Sequence, residues 1–204
     1  MNKVITIGRQ FGTLGSEIGE KLSLLTGIPC YDSAALAKLA EMRGISADMF
    51  EKADEQATSS FLYSLATSSY NGTPSQFHLT NLPYDRVYNV QSEEIKRIAE
   101  EGDCIIVGRC ADDVLSDCDG LLKIFIYAPL DVRIKNLVDN YGMNESEAKK
   151  RIQKMDKKRA SYYNFYTGRE WGDPKNYHLN IDASLLGVAG TAELIKVLME
   201  KCYK

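Results

Sequence analysis

The sequence predicts an α/β protein built on a doubly wound, mainly parallel sheet of five strands with helices on both faces. Three observations carry that expectation. Short apolar, β-branched runs alternate with segments of helical periodicity. Two of the runs, Cys104–Val107 and Leu121–Tyr127, are apolar enough to be buried on both sides. The first run passes through a glycine-rich bend straight into a helix.

Val4 to Ile7 (VITI) is the first strand, and Ile18, Leu22 and Leu25 then fall on one face of the first helix. After Gly27, Ile28 to Tyr31 is a second short strand, and Asp32-Ser33 is placed to cap a helix beginning near Ala34. Two or three helices are expected up to about Glu101, interrupted by a Ser/Thr/Asn-rich stretch from Thr58 to Asn81. Cys104–Val107 and Leu121–Tyr127 are the third and fourth strands, each bounded by glycine, aspartate or proline. Helices follow from about Leu130 to Asn140 and from Glu145 to about Tyr166; a fifth strand spans Tyr177 to Ile181, and a last helix Gly187 to Cys202.

The 204 residues carry 25 lysine and arginine against 28 aspartate and glutamate, a net charge of −3. That balance argues against a general nucleic-acid or membrane-surface binder, which needs a basic surplus. The composition, 44% hydrophobic and 26% charged, is that of a single globular domain, and no apolar run approaches the roughly 20 residues that span a bilayer. The opening MNKVITIGRQFG carries no apolar signal core, which points to the cytoplasm. The five cysteines sit singly, without ligand spacing, and read as reduced thiols.

Gly8-Arg9-Gln10-Phe11-Gly12-Thr13-Leu14-Gly15-Ser16 joins the first strand to the first helix. Backbone N–H groups at such a helix start make an anion site, although the glycines could also serve only a tight turn. The bend departs from Gly-x-x-x-x-Gly-Lys-Ser/Thr: no lysine lies between Gly8 and Glu20, and the lysine slot falls on Gly15. Arg9 and Lys21 are the nearest cations. A dinucleotide fingerprint is disfavoured, because Gly-x-Gly-x-x-Gly spacing is absent.

Two further features bear charge. Gly108-Arg109 directly follows a buried strand, which delivers the guanidinium to the carboxyl edge of the sheet where doubly wound folds bind ligands, with pairing of Arg109 to Asp112 or Asp113 as the alternative. Seven of the eleven residues from Lys149 to Arg159 are basic, which fits either a solvated helix face or a surface closing over phosphate. Six aromatics follow within Tyr162 to Tyr177, as a wall for a planar ring or as anchors of a loop.

The stretches VITIGRQFGTLGSEIGEKLSLLTGIPCYDSAAL, CIIVGRCADDVLSDCDGLLKIFIYAP and MDKKRASYYNFYTGREWGDPKNYHLNID together resemble the cytidylate kinase-like family, a branch of the nucleoside monophosphate kinases lacking the loop lysine. The resemblance implies a P-loop NTPase-type fold in one domain over 1–204, with a helical acceptor-binding insertion at about 33–101 and a lid at about 145–176. It implies ATP and Mg²⁺ as cofactors. Gly12, Thr13, Leu14, Gly15 and Ser16 would wrap the donor phosphates, with the Ser16 hydroxyl supporting Mg²⁺. Asp32, Ser33, Arg86 and Arg169 would bind the acceptor nucleotide; for Asp32 a plain helix cap is the alternative.

By the same resemblance, Arg109 and Arg159 would clamp the acceptor and the transferring group, Asp156 would hold Arg159 one helical turn away, and Arg151 would add a second lid arginine. Two residues depart from the family pattern: Cys110 replaces the aspartate of Gly-Arg-Asp, and Arg151 lies five residues before Asp156 rather than four. The function implied is phosphoryl transfer from ATP to a nucleoside monophosphate such as CMP or dCMP. The alternatives are a kinase of another small metabolite and a non-catalytic nucleotide-binding protein of the same fold.

Overall fold

Val4–Arg9 forms strand β1 at the middle of a five-stranded sheet in the computed structural model, which describes residues 2–42 and 83–203. Of the acceptor-binding insertion expected at about 33–101, residues 43–82, with the Ser/Thr/Asn-rich stretch, and the side chain of Arg86 lie outside the described residues. The sheet runs β2-β3-β1-β4-β5, with β2 at Cys30–Tyr31, β3 at Cys104–Val107, β4 at Leu121–Tyr127 and β5 at Leu179–Asp182. Every neighbouring pair is parallel; Val4 registers with Cys104 on one side and with Leu121 on the other. The connections leaving β1 and β3 run to opposite sides of the sheet, which opens a crevice beyond the carboxyl ends of those two strands.

Helices cover both faces. They are α1 (Gly15–Thr26), α2 (Ser33–Glu41), α3 (Pro83–Glu101), the single turn α4 (Ala111–Val114), α5 (Leu130–Tyr141), α6 (Glu145–Thr167) and α7 (Gly187–Cys202). Alternation along each strand sorts side chains between the two layers. Ile5, Ile7, Ile105, Val107, Ile124 and Ile126 pack with Ile18 and Leu22 of α1 and Ile195 and Met199 of α7. Val4, Cys104 and Ile106 face the other way, onto Leu36 of α2, Val87 and Ile95 of α3, and Leu115. At roughly 1.5–3 kcal/mol for each fully buried aliphatic side chain, these two layers dominate the driving force for folding.

Strand β1 runs on to Arg9 and β5 to Asp182, two residues and one residue beyond expectation, and other departures have local reasons. Strand β2 starts at Cys30 rather than Ile28, because Pro29 has no N–H to give the ladder; its carbonyl accepts from Ile105 N at 2.9 Å. Strand β5 starts at Leu179 rather than Tyr177, after a 3₁₀ turn over Pro174–Asn176 that leaves the Tyr177 ring packed 4.9 Å from that of Phe125. The turn α4 is too short to show in periodicity. Among the described residues no helix is long and apolar enough to cross a membrane, and no cysteine pair forms a disulfide.

Candidate active site

The glycine-rich bend leaves β1 at Gly8-Arg9 and reaches α1 through Leu14, whose left-handed backbone (φ 59°) occupies the N-cap position. It is clamped from two helices. Asn136 of α5 donates to Gly12 O at 2.9 Å, Arg133 of α5 donates to Phe11 O at 3.3 Å, and the Phe11 N–H donates to Asp156 Oδ1 of α6 at 2.7 Å. Arg133 and Asp156 are themselves paired at 2.6 Å, so one ion pair ties both helices to the bend. Gly12 has φ +84°, and a Cβ there would meet Arg133 O at 3.0 Å: only glycine allows α5 this close.

Each anticipated loop residue has a definite placement. Gly12, Leu14, Gly15 and Ser16 line a cavity of about 270 Å³ beside the start of α1. Thr13 is buried and its hydroxyl donates to Gln10 O at 2.9 Å, which holds the bend in shape rather than facing that cavity. Ser16 brings a hydroxyl to the cavity wall, while neighbouring Glu17 accepts from Tyr141 Oη at 2.8 Å.

A second cavity, of about 320 Å³, adjoins the first beyond the ends of β1 and β3. Gly108, Arg109 and Cys110 leave β3 with three successive positive φ angles (83°, 59° and 55°). That conformation is costly for the two non-glycine residues, and it sets Arg109 into the cavity wall. The basic run on α6 divides: Lys149, Lys150, Lys154 and Lys157 are exposed, as in a solvated face, while Arg151, exposed as well, begins a stripe with Met155, Lys158, Arg159 and Tyr162 at helical spacing that lines the cavities. Arg109 and Lys158 face the larger cavity, Arg151 the smaller, and Arg9 and Arg159 line both.

Asp156 faces the bend. Its oxygens accept from Phe11 N and Arg133, while Arg159 donates to Arg9 O at 3.0 Å and lies 5.4 Å from the Phe11 ring centroid. Asp32 is a helix cap, accepting from Ala35 N at 2.8 Å; Ser33 lines the larger cavity. Arg169 pairs with Asp113 at 3.6 Å and is not among the residues lining either cavity.

The aromatics serve both anticipated purposes. Tyr166 stacks on Tyr88 at 3.9 Å, and Trp171 and Tyr177 pack on Phe125, anchoring the segment after α6. Tyr162, Tyr163, Trp171 and Tyr177 also form one wall of the larger cavity. In the same wall Asp112, 6% exposed, accepts from Tyr163 Oη at 2.7 Å. Burial pushes the Asp112 carboxyl above the ordinary carboxylate range, against the opposing effect of the Tyr163 hydrogen bond, and burial beside Asp112 also pushes the Tyr163 hydroxyl up.

Arg133, Asn136, Asp112 and Lys158 are site residues that motif reading passed over. Arg133 left a signal: it lies one turn before Leu137, on the apolar face of α5, where an arginine needs a buried partner.

Residues 4–185 match the sequence profile of the cytidylate kinase-like family. The chain belongs to that family. A cytidylate kinase of Methanopyrus kandleri is 26% identical over 206 residues, covering 97% of this chain and 93% of the relative. One from Pyrococcus abyssi is 30% identical over 107 residues, 52% of this chain and 58% of the relative. The solved structure of an uncharacterized protein from Eubacterium ventriosum superposes on this member with a TM-score of 0.73 at 27% identity, covering 98% of this chain and 99% of the other. A shikimate kinase from Bacteroides thetaiotaomicron, 14% identical with a TM-score of 0.54 over 98% of this chain and 99% of its own, shares the P-loop kinase fold.

Proposed function

We propose that this cytidylate kinase-like protein transfers the γ-phosphoryl group of ATP to a nucleoside monophosphate, with CMP or dCMP the foremost acceptors. The observation that carries the reading is that two adjoining cavities share Arg9 and Arg159 as common wall. Phosphoryl transfer requires donor and acceptor phosphates to meet in line at a point rich in positive charge, with water kept out.

The donor phosphates sit in the smaller cavity, against the N–H groups at the start of α1, with Arg151 across from them. The acceptor occupies the larger cavity, its phosphate toward Arg109, Lys158 and Arg159 and its base along Tyr162, Tyr163 and Trp171. An acceptor phosphate oxygen forms a bond to the γ-phosphorus as the bridging β–γ P–O bond breaks. ADP leaves with the bridging oxygen and the electron pair of the broken bond, the acceptor oxygen stays on the transferred phosphorus, and a dianionic acceptor has no proton to lose. Arg159 and Arg9 stabilise charge on the transferring group, and no covalent enzyme intermediate is needed.

Among the described residues no three acidic, histidine or cysteine side chains cluster as a metal cage. The donor set fits Mg²⁺ arriving with the nucleotide, held by phosphate oxygens, water and the Ser16 hydroxyl, where it would neutralise phosphate charge. The aromatic wall favours a planar base over the sugar or alicyclic acceptors of other kinases with this fold. The arginine set beyond what nucleotide binding needs favours catalysis over a silent binding protein.

The test is ADP release from Mg-ATP with CMP, dCMP, UMP, AMP, GMP, shikimate or gluconate, beside an acceptor-free control and Arg159→Ala. Turnover with a cytidine monophosphate that falls about 10²- to 10³-fold in the variant is the expected result. Turnover only with a non-nucleotide moves the protein to a metabolite kinase, and ATP binding without turnover on any acceptor makes it a nucleotide-binding protein.

A further inference from the structure

We infer that Arg9 supplies the positive charge that a loop lysine provides in other phosphate-binding loops, and that Gly15 is glycine so that Arg9 can do so. The inference rests on the phosphotransferase reading above. In Gly-x-x-x-x-Gly-Lys the first glycine and the lysine are six residues apart. In this chain the residues six apart are Arg9 and Gly15, so charge and glycine have changed places.

The packing explains why the exchange must be reciprocal. A Cβ built on Gly15 would lie 2.8 Å from Arg9 Cγ and 2.9 Å from Arg9 Cβ. The Arg9 stem therefore fills the space that the first atoms of a lysine at position 15 would need. Because Arg9 Cβ itself is in the way, even alanine at position 9 would collide with that lysine; only glycine at position 9 would clear it.

The head of Arg9 has a berth of the same kind. Its Nη1 lies against Gly108, at the end of β3, where a Cβ would overlap it and where φ is +83°. Two glycines, Gly15 at the start of α1 and Gly108 at the end of β3, thus make a trench that carries the Arg9 side chain to the junction of the cavities, both of which it lines. Arg159 holds the Arg9 carbonyl at 3.0 Å, fixing the backbone from which the side chain departs. Lys21, the other cation near the bend in sequence, is on the second turn of α1 and lines neither cavity. A guanidinium in this berth offers two parallel N–H donors to phosphate oxygens where a lysine offers a point charge.

The experiment is calorimetric titration of Mg-ATP, without acceptor, into the full-length wild type, Arg9→Met, Arg9→Gly, Gly15→Lys and the double variant Arg9→Gly/Gly15→Lys, with thermal melts on each. Arg9→Met is expected to weaken binding by about tenfold or more, as loss of a charge-assisted phosphate contact does. Gly15→Lys alone should bind weakly or melt early, and the double variant should bind at least fivefold more tightly than Arg9→Gly. Recovery by a lysine six residues away is a result that a merely structural role for Arg9 does not give.

Wild-type affinity in Arg9→Met overturns the assignment. So does a folded double variant that binds no better than Arg9→Gly, a comparison that stands even if Gly15→Lys alone does not fold. Wild-type protein that binds no Mg-ATP overturns the phosphotransferase reading, and this inference with it. Binding without turnover on any acceptor defeats only the kinase reading and leaves Arg9 in its place.

Discussion

Asp156 accepts the backbone N–H of Phe11 at 2.7 Å, so a carboxylate in the middle of α6 fixes the tip of the glycine-rich bend. Its second oxygen holds Arg133, which is 8% exposed and reaches back to Phe11 O. Removing Asp156 strips the bend of an acceptor and leaves Arg133 charged in a poor solvent. Asp156→Ala is expected to lose about 3 kcal/mol of stability in urea unfolding, together with Mg-ATP affinity. Arg133→Met/Asp156→Leu should regain most of the stability, because no unpaired charge remains, while affinity stays low because Phe11 is still unheld. Recovery of affinity in the double variant would show that the pair merely stabilises the fold.

Arg169 and Asp113 meet at 3.6 Å with side chains 42% and 24% exposed. A pair so open to water contributes little, so Arg169→Ala should unfold within about 0.5 kcal/mol of wild type. Because Arg169 is not among the residues lining either cavity, acceptor KM is expected to stay within about twofold. A tenfold rise in acceptor KM at constant kcat would return Arg169 to the phosphate-binding role that the family resemblance implied.

The strands and most helices were legible because each is an apolar run of the right period with its own stop signal; β3, β4 and α7 have the bounds read from Cys104–Val107, Leu121–Tyr127 and Gly187–Cys202. Arg109 was legible for the same reason, since a residue just past a buried parallel strand has nowhere to go but the sheet edge. The partners of Asp156 were not. Helical pitch puts Arg159 within its reach, but the bond to Phe11 joins residues 145 apart in sequence and depends on how α5 and α6 pack around the bend. The contact between Arg9 and Gly15 was hidden in the same way: their six-residue spacing stands in the sequence, but the packing of the Arg9 stem against Gly15 follows from the path of the bend.

Gly12 and Gly142 both have positive φ, at +84° and +65°, yet a Cβ on Gly12 would press on Arg133 O at 3.0 Å and one on Gly142 would meet nothing within 4 Å. Gly142→Ala should therefore cost only the backbone strain, about 1 kcal/mol, and leave turnover unchanged. Gly12→Ala adds a push against α5, with an expected loss nearer 2–3 kcal/mol and a fall in Mg-ATP affinity. Thermal melts and nucleotide titrations on the two variants separate strain from contact. Equal losses in both, with affinity intact, would mean that α5 yields without disturbing the bend.

Burial of Asp112 favours its neutral form, and the charge of Asp113 adds to the effect, while Tyr163 and Lys123 oppose it. The sign of the linkage follows from the raised value. The folded protein holds the proton more tightly than the unfolded chain, so the stability associated with the neutral carboxyl is fully present below the ordinary carboxylate value of about 3.9 and is lost as pH rises through the raised one. Asp112→Asn keeps an acceptor for Tyr163 Oη and cannot ionise. It should therefore unfold at a higher urea concentration than wild type at about pH 8, with the advantage shrinking as pH is lowered toward about 4, where other carboxyls titrate alike in both proteins and cancel from the difference. A difference that does not change with pH would mean that the Asp112 carboxyl titrates normally and that its hydrogen bonds balance burial, and an advantage that grows as pH is lowered would mean that they outweigh it.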